Sequence, residues 1–173
     1  MPTKYSNRQK KIAKAKDSEV EMTEMVLPQH TNALGTVFGG VVLSWVDIAA
    51  AICAQRHSNK VVVTAGIDAM HFLAPIKLGW IVNIKASVNY TSNTSCEVGV
   101  KIEAENPLTR EYHHTASAYV TMVALDSNGK PAAMPKLDLT DEIEKRRWHE
   151  AEERRKARLQ LKEILKERRK THD

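Results

Sequence analysis

Phe38-Gly39-Gly40-Val41-Val42-Leu43-Ser44-Trp45-Val46-Asp47-Ile48-Ala49-Ala50-Ala51-Ile52-Cys53-Ala54-Gln55 is the stretch on which the fold turns. It is apolar enough to raise the question of a membrane span, which needs roughly 20 such residues. Asp47 stands near its middle, with Ser44 and two glycines in the same run, and a carboxylate at that depth would be costly in lipid. Alanine and leucine favour helix, and a helix apolar on nearly every side belongs in a core. The stretch therefore reads as one long buried helix, entered through the loop His30-Thr31-Asn32-Ala33-Leu34-Gly35.

Strand character surrounds it. Residues 19–27 form a short strand stopped by Pro28, and residues 60–72 open on Val61-Val62-Val63-Thr64 and are punctuated by Pro75 and Gly79. Residues 80–90 follow. Residues 94–105 alternate cleanly, with Lys101, Glu103 and Glu105 on one face and Val98, Val100 and Ile102 on the other. Residues 110–125 end in the turn signal Asp126-Ser127-Asn128-Gly129-Lys130-Pro131. One strand, one long helix, then four strands joined by short turns predict an α+β fold with an antiparallel sheet laid on the helix. Such short connections exclude the repeated crossovers of a parallel sheet.

The 173 residues, 42% apolar and 27% charged, suffice for one domain with tails. Three segments are expected: a basic disordered tail at 1–17, a domain at 18–137, and a charged C-terminal helix at 138–173, solvated and either weakly docked or exchanged with a neighbour. The net charge of +5 suggests nucleic acid until it is located. The tail carries +5, residues 138–173 carry +2, and the domain between them carries −2, so a cationic face for phosphate binding is poorly supported. Two cysteines, Cys53 and Cys96, are too few for a disulfide framework and lack metal-ligand spacing. With no apolar leader among the first seventeen residues, a cytoplasmic protein is expected.

Asp47 is the only acidic or basic side chain between His30 and Arg56. Burying a carboxylate costs free energy unless something pairs or uses it, which leaves a structural Asp held by a backbone amide or an arginine, or, as the functional reading, a general base or nucleophile in a water-poor cleft. Gly39 and Gly40 start the helix, where free N–H groups with no side chain in the way suit a developing oxyanion. Asp47, seven residues after Gly40, falls on roughly the same helix face. Asn32 adds an amide able to donate to a carbonyl and to hold a water. The glycine pair has neither dinucleotide nor P-loop spacing, no G-x-S-x-G elbow occurs, and His57, His71, His113 and His114 make no ligand set.

These residues resemble the hotdog-fold acyl-CoA thioesterases, in particular the broad-range hydrolases of the YciA and brain acyl-CoA hydrolase type. The resemblance covers about residues 19–155. It rests on His30-Thr31-Asn32 with Gly35, on Phe38-Gly39-Gly40 and Asp47, and on Val62-Val63-Thr64, Asp68, Met70, Phe72, Pro75 and Gly79. The Thr94-Ser95 strand start, Gly129-Lys130-Pro131 and Pro135 complete it. It implies hydrolysis of acyl-CoA, with Asp47 activating water or attacking directly and with Asn32 and the Gly40 amide polarising the thioester. Gly39, Gly40, Thr94, Ser95 and Lys136 would bind substrate. No cofactor is implied beyond the coenzyme A of the substrate. It also implies that Asn32 and Asp47 of one site come from different subunits, so that a dimer is the catalytic unit and a trimer of dimers, a homohexamer, the assembly.

Relatives often carry a glycine and a basic residue where this chain has Ser92 and Asn93, and an acidic residue where it has Trp80. The cation for the coenzyme A phosphates is therefore expected from Lys136, with Lys60 and Arg56 as alternatives. A second function class is a non-catalytic acyl-CoA-binding sensor, against which the retained Asn32 and Asp47 speak. A dehydratase would want a histidine on the central helix, and none is there.

Overall fold

The computed structural model describes residues 11–170. In chain order these form β1 (Ile12–Lys14), a 3-10 turn (Ala15–Ser18), β2 (Val20–Met25), a second 3-10 turn (Pro28–His30) and α1 (Gly39–Ser58). Then come β3 (Val61–Ile67), β4 (Ile81–Thr91), β5 (Ser95–Glu105), β6 (Tyr112–Leu125), β7 (Lys136–Asp138) and α2 (Glu142–Lys170). The main sheet runs β2-β4-β5-β6-β3, antiparallel throughout, and wraps around α1 in the α+β arrangement expected.

The core follows from period-two alternation. Val82, Ile84 and Ala86 on β4, Val98, Val100 and Ile102 on β5, and Ala118, Val120 and Met122 on β6 all point to one side. Against them α1 sets Val42, Val46, Ala49, Ala50, Cys53 and Ala54, a stripe at helical spacing and fully buried. The small alanines on both surfaces let helix and sheet approach closely.

Four expectations need correction. First, α1 is not buried all round: Leu43 and Ile48, on the side away from the sheet, are 37% and 48% exposed. Second, β3 stops at Ile67 and is not a neighbour of β4. It crosses to the far edge beside β6, and residues 68–80 carry the chain back. Runs of β-branched residues mark strands without saying which strands pair. Third, the disordered tail of 1–17 does not hold over its described part. Ile12–Lys14 pairs in parallel with Lys136–Asp138, and Ala13 and Ala15 are buried; residues 1–10 lie outside the described residues.

The fourth concerns α2. Far from docking weakly, it lays Ala151 into full burial and Trp148 against Tyr90, with ring centroids 5.0 Å apart, on the sheet face opposite α1. Its firmest hold is electrostatic. Glu97 of β5 is only 2% exposed and accepts from Arg154 Nη2 at 2.7 Å and from Arg158 Nη1 at 3.2 Å. A buried carboxylate needs such partners, and removing one side of a buried ion pair strands the other. Glu97→Ala is expected to lower unfolding free energy by about 3–5 kcal/mol, read from urea midpoints at unchanged slope. Glu142→Ala, which breaks only the exposed pair with Lys145, serves as control and should cost less than about 1 kcal/mol. Equal small effects would show that the buried network contributes no more than a surface pair.

Candidate active site

The loop before α1 is built around one asparagine. Thr31 and Val37 form an antiparallel bridge, and Gly35, at φ +70°, closes the turn between them. Asn32 Oδ1 accepts from the backbone N–H of Leu34 at 2.9 Å and of Thr36 at 3.3 Å. The Asn32 side chain is exposed. Nδ2 donates to Thr36 Oγ1 at 3.0 Å, which leaves its second N–H for a ligand. His30, edge-on to Trp45 at 5.3 Å, and the Val37 N–H to Ile76 O bond fix this loop to the helix and to the chain beyond β3.

The helix starts at Gly39, and its first intrahelical bonds run from Val41 N–H and Val42 N–H to Phe38 O. The N–H groups of Gly39 and Gly40 find no acceptor among the described residues, as expected in a first helical turn. A Cβ at position 40 would lie 2.6 Å from the Phe38 ring, and one at position 39 would touch Phe72 at 3.4 Å. Glycine at 40 keeps Phe38 in place and the amide open. Beside this helix end lies an apolar cavity of about 300 Å³ lined by Val37, Val42, Phe72, Leu73, Pro75 and Ile76.

Asp47 is half-buried rather than buried, on the flank of α1. Its Oδ1 accepts a 2.5 Å hydrogen bond from Thr64 Oγ1 on β3, a contact that orients the carboxylate. Thr64 was legible only as one letter in a β-branched run, because its pairing with Asp47 exists only once β3 lies beside α1. Sharing a helix face does not bring the Gly40 amide and Asp47 together: seven residues at 1.5 Å each put them about 10 Å apart along the axis.

The segments that carry Thr94, Ser95 and Lys136 meet towards the other end of α1. Thr94 O accepts from Ala124 N–H, Met134 N–H donates to Asn93 O, and Leu137 N–H donates to Thr91 Oγ1. That end is also where α1 finishes, with His57 Nε2 3.2 Å from Pro135 O. The 20 residues of α1 span about 30 Å, so within one chain these three do not join Gly39 and Gly40. Of the cations considered, Arg56 is engaged with Glu19 O at 2.9 Å, while Lys136 is exposed. Among the described residues no cluster of His, Cys, Asp and Glu could hold a metal ion, and no helix is long and apolar enough to cross a membrane.

Residues 34–110 match the model of the thioesterase superfamily. The VdlD protein of Helicobacter pylori is 40% identical over 147 residues, 85% of this chain and 84% of its own. A hexameric acyl-CoA thioesterase solved without ligand superposes with a TM-score of 0.84 at 38% identity, covering 87% of this chain and 96% of the other. The chain belongs to the hotdog-fold acyl-CoA thioesterases. Another member, the acyl-CoA hydrolase of Staphylococcus aureus, was solved with butyryl coenzyme A, coenzyme A and coenzyme A disulfide. It is 36% identical at a TM-score of 0.80, over 90% of this thioesterase-family chain and 97% of its own. Structures of that enzyme include alanine variants of one asparagine, one aspartate and one threonine, fifteen and then seventeen residues apart. Asn32, Asp47 and Thr64 have the same order and the same spacing.

Proposed function

We propose that this protein hydrolyses acyl-CoA to a free carboxylic acid and coenzyme A, using Asp47 as general base or nucleophile. Asn32 Nδ2 and the Gly40 N–H hold the thioester oxygen. Hydrolysis passes through a tetrahedral intermediate whose oxygen carries negative charge, and fixed donors aimed at that charge lower the barrier most. The observation that carries the reading is the open helix start at Gly39 and Gly40, led into by a loop whose Asn32 keeps a second N–H for a ligand. Asp47, held by Thr64, removes a proton from the attacking water or attacks the carbonyl itself. Coenzyme A enters with the substrate and leaves as product, and the reaction takes no other cofactor. Lys136, Thr94 and Ser95 bind the far end of the coenzyme.

The resemblance to the hotdog-fold thioesterases assigns Asn32 and Asp47 of one site to different subunits, and the two turns of helix between Gly40 and Asp47 support that reading. One site therefore combines Asn32 and Gly40 of one chain with Asp47 of another, and the dimer is the smallest active unit. Leu43, Ile48, Val63 and Ile67 remain 37–48% exposed on α1 and on the edge strand β3, an apolar area suited to a second copy. The full assembly in this reading is a trimer of dimers, in the cytoplasm.

The test is release of free thiol from a panel of acyl-CoA esters. Burial pushes the Cys53 thiol up to about 12 and the Cys96 thiol well above the usual range, so both protein thiols stay protonated and the signal comes from product. Turnover on at least part of the panel is expected. Binding of acyl-CoA without any thiol release would instead make the protein an acyl-CoA sensor.

A further inference from the structure

The segment after β3 is held by backbone hydrogen bonds at its ends and by the packing of Met70 against the core between them. Asp68 N–H donates to Tyr119 O at 3.0 Å and Leu73 N–H to Thr115 O at 2.8 Å. Ala69, Met70, His71 and Phe72 make no backbone hydrogen bond among the described residues. Where Phe72 sits therefore depends on the anchors, and Phe72 both touches the Gly39 position and walls the apolar cavity.

The first anchor is electrostatic and comes from α2, 90 residues further on. Arg158 Nη1 donates to Asp68 Oδ2 at 2.5 Å and reaches Glu97 Oε2 at 3.2 Å. Arg154, the other partner of Glu97, lies 3.6 Å over the ring of Tyr119, the residue whose carbonyl receives the Asp68 N–H. Two guanidinium groups and two carboxylates balance to zero charge. Without Asp68, Arg158 keeps only Glu97, which it shares with Arg154.

We infer that Asp68 and Arg158 form a specificity clamp: the ion pair fixes residues 68–72, which carry Phe72 into the wall of the cavity beside Gly39, and so sets the acyl length the cavity accepts. The inference rests on the hydrolase reading, in which a carbonyl held at Gly40 leaves its acyl chain next to that cavity. Both are positioning residues, acting through Phe72 and Leu73. Releasing the clamp lets the wall retreat, which favours longer chains.

The test compares kcat/KM for butyryl-CoA and lauroyl-CoA in wild type, Asp68→Asn, Arg158→Ala and the double variant, with assembly checked for each. A purely structural role lowers the active fraction and leaves the ratio of the two substrates unchanged. The clamp raises the lauroyl-to-butyryl ratio about fivefold or more, since one buried methylene is worth roughly fourfold. The double variant should shift the ratio no further than Asp68→Asn alone, because the residues act as one unit. Arg158→Lys, which restores a cation opposite Asp68, should return at least about half of the shift. A ratio that stays within about twofold of wild type, or that moves in only one of the single variants, overturns the clamp. Wild type silent on both substrates but active elsewhere on the acyl-CoA panel overturns the clamp alone, and silence on the whole panel overturns the hydrolase reading and the clamp with it.

Discussion

Asp47→Asn is expected to lower kcat on acyl-CoA by about a hundred- to ten-thousandfold, the span by which a positioned base or nucleophile contributes, with KM changed little. The substitution is chosen because asparagine keeps the shape of the side chain. Its oxygen can still accept from Thr64 Oγ1, the contact that Asp47 makes at 2.5 Å, so the fold and the α1–β3 packing stay as they are. Only basicity and negative charge are lost. Asp47→Ala would also open space beside Thr64 and mix a packing effect with the chemical one. The measurement is steady-state thiol release on the substrate that wild type turns over best, with oligomeric state compared by size-exclusion chromatography. A loss smaller than about tenfold in an intact assembly, below what general-base removal produces, would take Asp47 out of the chemical step.

That experiment rests on a residue the sequence already exposed, and the reason is physical. Asp47 interrupts an apolar run, and a charge in such a run is conspicuous because it is costly. Gly39 and Gly40 are conspicuous for the complementary reason, since they stand where side chains would otherwise cover free amides. The long helix, the clean alternation of β5 and the antiparallel class follow from periodicity, which is local. What stayed hidden is what depends on residues far apart in the chain meeting in space. The crossing of β3 to the β6 edge, the bond from Thr64 to Asp47 and the seating of Arg154 and Arg158 on Glu97 have no signature in spacing. Glu97 and Arg158 each read as one more charge in a polar stretch. The grouping of Thr94, Ser95 and Lys136 with Gly39 and Gly40 came from resemblance, and a single chain separates them by the length of α1.

Mixing two inactive variants is expected to restore about one quarter of wild-type activity. Asn32→Ala removes an oxyanion donor, worth about a hundred- to a thousandfold in kcat, and Asp47→Asn removes the base, so each variant alone is close to silent. When the two are co-expressed or exchanged at equal amounts, random pairing makes about half of the dimers mixed. In a mixed dimer one site combines both lesions. The other takes its intact Asn32 from the Asp47→Asn chain and its intact Asp47 from the Asn32→Ala chain, and is wild type in composition. One working site in two, in half of the dimers, gives the quarter. Native mass spectrometry of the mixture verifies that mixed dimers are present. If they are present and the rate stays at the average of the two parents, both groups act within one chain. Asn32 and Asp47 of the same subunit would then form the site, and the dimer would not be required by the chemistry.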